Sequence, residues 1–516
     1  MKQNPFGNPQ IVRAENMRLK HIFCKRMSAG VTPGFHRAGR RWPLALQISI
    51  SIVSGGMLIL AYPPYGLWPC VILSWSGLMS LVFHGSKRTC FYLGLAFGLV
   101  AFGGCLAWLR NIFGMAAVPL YGILSLFIAV SSLMANILCD RCELPCARAI
   151  LAASIFATFE FIRCEQYFLE FPWISAGSAL GVTWVTPIIG VYGTSFIIFT
   201  AAALLVIGAT RPAGIILAVC LIGCGFFKPP IIEPTAGGET IRVAVVQGEE
   251  LHFSQYIEWT LTTLDESPKL VIWPEYALPY DVRQKQPGQM AELQQIAQAH
   301  DLVFVVGTKT TIGAGEREWR NTALTIGGNG VLGEYYKNHT VHFFDDGIAG
   351  TNAVPVDTPI GRVGTAVCFD CDYEDITREL VRRGAEFIVA PTFDAIHWSE
   401  TQHKQHAVFF QLRAAENGRW LVCSASSGYS RIIDPHGHIH KSMPFAENGA
   451  FVGVIVPMTG RTFYNRAGWM FPWAVMAVAI VLGTRAVFCG AAKADGSPSV
   501  EPTSDDPNSG IPDGQS

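Results

Sequence analysis

The sequence predicts an α-helical membrane bundle of about eight transmembrane helices joined to one polar α/β domain. Three observations carry this prediction. Half of the 516 residues are apolar and only 15% are charged, against roughly 25% charged in soluble domains. The apolar residues gather into runs of the length that crosses a bilayer, ~20 residues each. The stretch 239–462, by contrast, alternates short β-rich runs with helical patterns.

In chain order, residues 1–43 form a basic arm with nine Lys or Arg, among them Lys25, Arg26, Arg37, Arg40 and Arg41. A membrane domain, 44–228, follows, with spans expected at 44–62, 67–83, 90–109, 112–139, 147–162, 187–209 and 213–227. The first span reads as a permanent anchor, because no small-residue cleavage site follows it. Residues 163–186 are too polar to cross, and Phe171-Pro172-Trp173 fits an interfacial loop. An eighth span is expected at 468–488. The tail 494–516, rich in Pro, Gly, Ser and Asp, is expected to be disordered.

Loop charges set the expected orientation. The loops on the side of the basic arm carry Lys87, Arg88, Arg141, Arg148 and Arg211, and the opposite side offers only Arg110 and Arg163 before the polar domain. The positive-inside rule puts the N-terminus in the cytoplasm and the polar domain outside it. Arg485 and Lys493 then lie at the cytoplasmic end of the eighth span. The net charge of −1 leaves no basic excess for nucleic acid. Ten of fourteen cysteines precede residue 230, where an apolar interior holds cysteine as a small hydrophobe, so no disulfide framework follows.

Within 239–462, strands are expected at Ile241–Gln247, Leu270–Trp273, Leu302–Thr308, Ala323–Ile326, Val363–Val367, Phe387–Ala390, Trp420–Ser424 and Phe451–Val456. Helices are expected near Gln289–His300, Asp375–Arg383 and Gln402–Asn417. Continuous apolar runs alternating with helices indicate an α/β domain with buried strands.

Three strand ends carry reactive residues. Val271-Ile272-Trp273-Pro274-Glu275 delivers a carboxylate, Glu334-Tyr335-Tyr336-Lys337 an amine, and Gly364-Thr365-Ala366-Val367-Cys368 a thiol. A thiol needs a base to become a nucleophile, and a nearby cation lowers its pKa. Glu275 and Lys337 would supply both functions. Singly, each residue is as well explained by a turn or a solvated surface.

Together and in this order, Glu275, Lys337 and Cys368 resemble the triad of the carbon–nitrogen hydrolase (nitrilase) superfamily. The likeness continues through Gly384-Ala385-Glu386-Phe387, Ala390-Pro391-Thr392-Phe393-Asp394, Arg413 to Arg419 and Ile433-Asp434-Pro435-His436-Gly437. The membrane segments narrow it. A nitrilase domain between a block of apolar helices and one C-terminal helix is similar to the bacterial apolipoprotein N-acyltransferase family. Ala61 to Pro69 and Phe171-Pro172-Trp173 resemble that family's proline- and aromatic-rich loops.

The resemblance implies an αββα sandwich at 239–462, extracytoplasmic, beside a bacterial inner membrane. It implies a phospholipid acyl donor resembling phosphatidylethanolamine, diacylglyceryl-modified apolipoproteins as acceptors, a thioester on Cys368, and neither cofactor nor metal. Glu275 would be the base, with Lys337 and the N–H of Phe369 as oxyanion donors. Asp345, eight residues after Lys337, stands where the family has a glutamate and is expected to orient the lysine. Asp370 replaces the glutamate of the family's Cys-Tyr-Glu. Tyr256 stands for a tryptophan nine residues after Gln247, and is grouped with Phe171 and Trp173 as a lipid-access loop.

Other readings compete. A membrane-tethered amidase would keep the triad and use water as acceptor, but needs one anchor rather than eight helices. A transporter with a decayed domain conflicts with the intact triad and with sparse ionisable residues in the spans, Glu160 being the main one. The Cys368/Cys371 pair permits redox or metal chemistry, which the triad outweighs, and Cys423 reads as core. His403, His406, His436, His438 and His440 lack carboxylate partners at metal-site spacing and are read as structural or solvated.

Overall fold

A computed structural model describes residues 42–234, 239–313 and 318–494. The expectations for nearly all of the basic arm and for the tail beyond 494 lie outside the described residues. Among those described, seven helical stretches are long and apolar enough to cross a bilayer, and Cys70–His84 adds a shorter apolar helix. The membrane-domain helices are α1 (Leu44–Ala61), α2 (Cys70–His84), α3 (Lys87–Cys105), α4 (Ala117–Cys139), α5 (Pro145–Phe161), α6 (Thr186–Val206) and α7 (Arg211–Phe226). A short helical turn, Leu109–Phe113, leads into α4.

Small residues let these helices approach closely, as dispersion-driven packing in lipid requires. A Cβ at Gly98 of α3 would lie 2.8 Å from the Ser125 Cα of α4. Hydroxyls and amides tie helices together: Ser51 Oγ donates to Leu93 O at 2.7 Å, and Asn136 Nδ2 donates to Val82 O at 2.7 Å. Large apolar residues such as Leu73, Leu126, Ile216 and Val219 are exposed on the outside of the bundle, the arrangement expected where lipid is the solvent.

The polar domain has two six-stranded sheets. In the first, β1 (Ile241–Gln247), β2 (Leu270–Ile272) and β3 (Val303–Thr311) run parallel. Beyond β3 come antiparallel β4 (Trp319–Gly327) and β5 (Gly330–Tyr336). In the second, β6 (Val356–Thr358) pairs antiparallel with β7 (Gly361–Thr365), which runs parallel to β8 (Phe387–Thr392) and β9 (Leu421–Ala425). The hairpin strands β10 (Arg431–Ile433) and β11 (Ile439–Ser442) extend that sheet, and β12 (Gly449–Ile455) returns to pair with β1.

Strand alternation builds the layers. Val243, Val245, Ile272 and Val305 face the second sheet in one core. Their neighbours Val246, Val271 and Phe304 face the helices α8 (Phe253–Thr262) and α9 (Pro287–His300) in another. Helices α10 (Asp375–Arg382) and α11 (Glu400–Asn417) cover the second sheet, completing an αββα sandwich.

Helix α11 joins the two halves. Its Phe410 and Ala414 belong to the sandwich core, whereas Phe409, Leu412 and Ala415 belong to the core of the membrane helices. The last helix, α12, runs Phe471–Ala494, longer than the expected 468–488. The expected helices were found, but α8, β6 and the β10–β11 hairpin had not been anticipated.

Candidate active site

Four strand ends converge at one edge of the sandwich. β2 is followed by Glu275, β5 by Lys337, β7 by Cys368 and β8 by Phe393-Asp394. Strand carboxyl ends are where an α/β sheet leaves backbone and side chains free to meet a ligand. Cys368 sits on a tight turn at φ 51°, a left-handed conformation that costs a non-glycine residue energy and marks functional turns.

Lys337 Nζ lies 2.8 Å from Glu275 Oε1 and 2.9 Å from Asp346 Oδ2. Asn321 Nδ2 donates to Glu275 Oε1 at 2.6 Å and to Asp346 Oδ1 at 2.7 Å. The Tyr276 hydroxyl also donates to Asp346. Phe393 bridges carboxylate and thiol: its N–H donates to Glu275 Oε2 at 2.8 Å, and its carbonyl accepts from Cys368 Sγ at 3.6 Å. Glu275, Lys337, Asp346 and Cys368 are all buried.

Burial shapes the electrostatics. It pushes the Glu275 carboxyl above its usual range, with Lys337 pulling it back. It also pushes the Cys368 thiol up, and the Glu275 charge adds to this while Lys337 opposes it. For Lys337, burial pulls downward, but Glu275, Asp346 and Cys368 together hold it well above the ordinary lysine value. Burial would raise Asp346, yet Lys337 keeps it below the usual carboxylate range. The arrangement is a protonated thiol beside a base, with a permanent cation between two carboxylates.

The triad opens into a cavity of about 280 Å³. Its far wall comes from the membrane domain: Trp108, Leu109, Ile112, Phe113 and Leu120, with Phe171 and Trp173 from the α5–α6 loop. The segment 341–346 closes one side, where Phe343 and Phe344 pack edge-on against Phe113. An apolar cleft with a few convergent polar groups is the usual form of a small-molecule site.

Residues 242–458 match the carbon–nitrogen hydrolase family, and residues 54–204 match the apolipoprotein N-acyltransferase N-terminal domain. Apolipoprotein N-acyltransferases resemble the chain over most of its length. That of Geobacter metallireducens is 27% identical, covering 85% of this chain and 94% of the relative. That of Azotobacter vinelandii is 26% identical, covering 86% and 94%. That of Pseudomonas aeruginosa strain PAO1 is 24% identical, covering 84% and 96%. Together the two family matches cover most of residues 54–458, and the chain is similar to apolipoprotein N-acyltransferases along most of its length.

Glu275, Lys337 and Cys368 do come together in this chain, but several supporting residues differ from expectation. Asp346, not Asp345, holds Lys337; Asp345 is exposed at the cleft. Asp370 ties the Cys368 turn to the segment after β5, accepting from Tyr335 Oη at 2.8 Å, His339 N at 2.8 Å and Val367 N at 2.9 Å. Phe369 packs edge-on against Tyr373.

Phe171 and Trp173 line the cleft, but Tyr256 does not. It is buried under the first sheet, stacked on Trp273 at 5.0 Å, with its hydroxyl donating to Gly248 O. Its position in the sequence is set by packing between α8 and β2 rather than by access to lipid.

The histidines also find partners that spacing did not reveal. His436 and His438 meet the carbonyls of Pro230 and Pro229 in the linker from α7, and His440 faces Asp434 at 3.3 Å. His406 lies between Asp394 and Asp372, which reach it from two separate loops. Asn321 escaped the sequence reading altogether: no motif marks it, and only the pairing of β3, β4 and β5 brings it to Glu275.

Proposed function

We propose that the chain transfers an acyl group from a membrane phospholipid, through a thioester on Cys368, to the N-terminal amine of diacylglyceryl-cysteine lipoproteins. One observation carries the reading: a buried Glu–Lys–Cys constellation opens into a cleft whose opposite wall is built from membrane helices. A donor and an acceptor that both carry acyl chains can meet the thiol there without leaving the apolar phase.

The chemistry follows from the geometry. Glu275 takes the proton of the Cys368 thiol as sulfur attacks the ester carbonyl of the phospholipid. The oxyanion that forms is stabilised by Lys337 Nζ and the N–H of Phe369. Such preorganised donors are worth ~3–4 kcal/mol each in a water-poor site. The tetrahedral intermediate collapses by breaking the ester C–O bond, and Glu275 returns its proton to the lysophospholipid hydroxyl. In the second half, the lipoprotein amine attacks the thioester, Glu275 takes a proton from nitrogen, and Cys368 leaves and is reprotonated.

The same reading places 239–462 outside the cytoplasm, on the strength of the charges at 87–88, 141–148, 211 and 485. The contact of Arg148 Nη2 with Phe83 O at 3.4 Å supports grouping the 83–88 and 140–148 loops on one side.

Mass spectrometry of the intact protein after incubation with phosphatidylethanolamine tests the reaction. The expected result is a hydroxylamine-labile gain of one acyl chain on the wild type and none on Cys368→Ala. A folded wild-type protein that gains no acyl mass would instead favour hydrolysis of a soluble amide.

A further inference from the structure

Helix α11 carries His406 into the floor of the cleft, where its ring faces two buried carboxylates. Nδ1 lies 2.8 Å from Asp394 Oδ1 and Nε2 lies 3.2 Å from Asp372 Oδ1. Trp173, from the membrane domain, donates from Nε1 to the other oxygen of Asp372 at 2.6 Å, and its indole stacks on the imidazole at 5.9 Å. All four side chains are buried. The Nδ1 contact is a hydrogen bond and the Nε2 contact an ion-pair approach, so the ring sits between two buried carboxylates, and a buried carboxylate without a partner is strongly destabilising.

The two aspartates belong to the backbone segments that hold the reacting groups. Asp394 follows Phe393, whose backbone N–H donates to Glu275 and whose carbonyl accepts from Cys368. Asp372 closes the turn Cys368–Cys371 that bears the thiol. Asp394 is further fixed by Ser426, whose Oγ accepts from Asp394 N at 3.0 Å.

We propose that His406 is a positioning residue for the reaction: its charged ring clamps the Phe393–Asp394 segment to the Cys368–Asp372 turn and so keeps the thiol aligned with Glu275. Burial by itself would pull the imidazole down, but Asp394 and Asp372 push it up to about 10, so the ring stays charged at neutral pH. Trp173 extends the clamp into the membrane domain, tying the nucleophile turn to the wall of the cleft.

This inference rests on the acyl-transfer reading, and a donor-independent readout separates the two. We would measure acyl-enzyme formation from phosphatidylethanolamine, and alkylation of Cys368 by iodoacetamide, in wild type, His406→Gln and His406→Gln/Asp372→Asn. His406→Gln is expected to slow both reactions about 10–100-fold, the usual cost of a lost supporting contact, with the half-saturating lipid concentration near the wild-type value. The double variant, which removes one of the two carboxylates left facing a neutral side chain, is expected to recover part of the rate.

A His406→Gln enzyme that reacts at the wild-type rate, or that loses only lipid affinity, overturns the proposal. Should that variant not fold, Asp372→Asn alone is expected to slow alkylation about tenfold, and an unchanged rate there overturns it equally. A wild type that alkylates but never acylates counts against the acyl-transfer reading and leaves the alkylation comparison to decide the role of His406.

Discussion

Neutralising Asp346 would leave Lys337 with Glu275 as its one ion-pair partner. An amide there keeps one acceptor oxygen where the carboxylate uses two, one for Tyr276 and Asn321 and one for Lys337 and Val341 N–H. Asp346→Asn should therefore slow acyl-enzyme formation about 10–100-fold, while Asp345→Asn, on an exposed side chain, should stay near wild type. Steady-state kinetics on the two variants decide between them, and the reverse ranking would return the role to Asp345. The pH profile is a second test. Burial raises Glu275 above the ordinary glutamate range, so the base is lost by protonation as pH falls, and the acid limb of acylation should lie above pH 4.5. The convergence of Glu275, Lys337 and Cys368 was legible in the sequence because each follows a strand, two of them leading into buried apolar residues. Its support was not, because the turn decides which aspartate points inward: Phe343 adopts φ 67° and Val341 N–H donates to Asp346 Oδ2 at 2.9 Å. No fixed count from Lys337 contains that turn.

Helix α6 does not run straight. Gly190 takes φ 67° inside it, and the N–H of Val191 is satisfied by Glu416 Oε1 of α11 at 2.9 Å. A Cβ at Gly190 would lie 2.5 Å from the Tyr464 ring and 3.1 Å from that carboxylate. Gly190→Ala should therefore destabilise the protein by about 1–3 kcal/mol, read as a lower thermal midpoint in detergent; an unchanged midpoint would mean that the kink relaxes freely. Helix α11 also links stability to pH through His406, which faces Asp394, Asp372 and, one turn away, His403. Its folded value lies above the ordinary 6.5, so its contribution is complete below that pH and is lost as pH rises through about 10. The fall in thermal midpoint from pH 7 to 10 should be steeper in wild type than in His406→Gln. Long apolar runs announced the membrane helices, and buried strands announced the sheets. Helix α8 buries only Tyr256, Ile257 and Thr260, and β11 is almost wholly exposed, so neither left an apolar pattern to read.

Composition divided the molecule into a lipid-facing half and a polar half, but their contact could not be read from either. It is made by pairs remote in sequence: Trp108 Nε1 donates to Gln405 Oε1 at 2.9 Å, and Gln405 Nε2 donates to Cys105 O at 2.9 Å. Trp108 in turn packs on Trp173 at 4.8 Å. These contacts hold the apolar wall from Leu109 to Leu120 across from Cys368, so the membrane domain is part of the candidate site and not only an anchor for it. If the acyl chain of the donor lies along that wall, a charge placed on it should weaken lipid binding without disturbing the thiol. Ile112 lines the cleft and belongs to the partly buried apolar shell of the membrane core. An ionised carboxylate at apolar depth costs on the order of 2–3 kcal/mol. Ile112→Glu should accordingly raise the half-saturating phospholipid concentration by on the order of tenfold or more, while iodoacetamide still alkylates Cys368 at the wild-type rate. Equal loss of both reactions would mean that the substitution has distorted the nucleophile turn, and no loss of either would mean that the chain of the donor takes another path to the thiol.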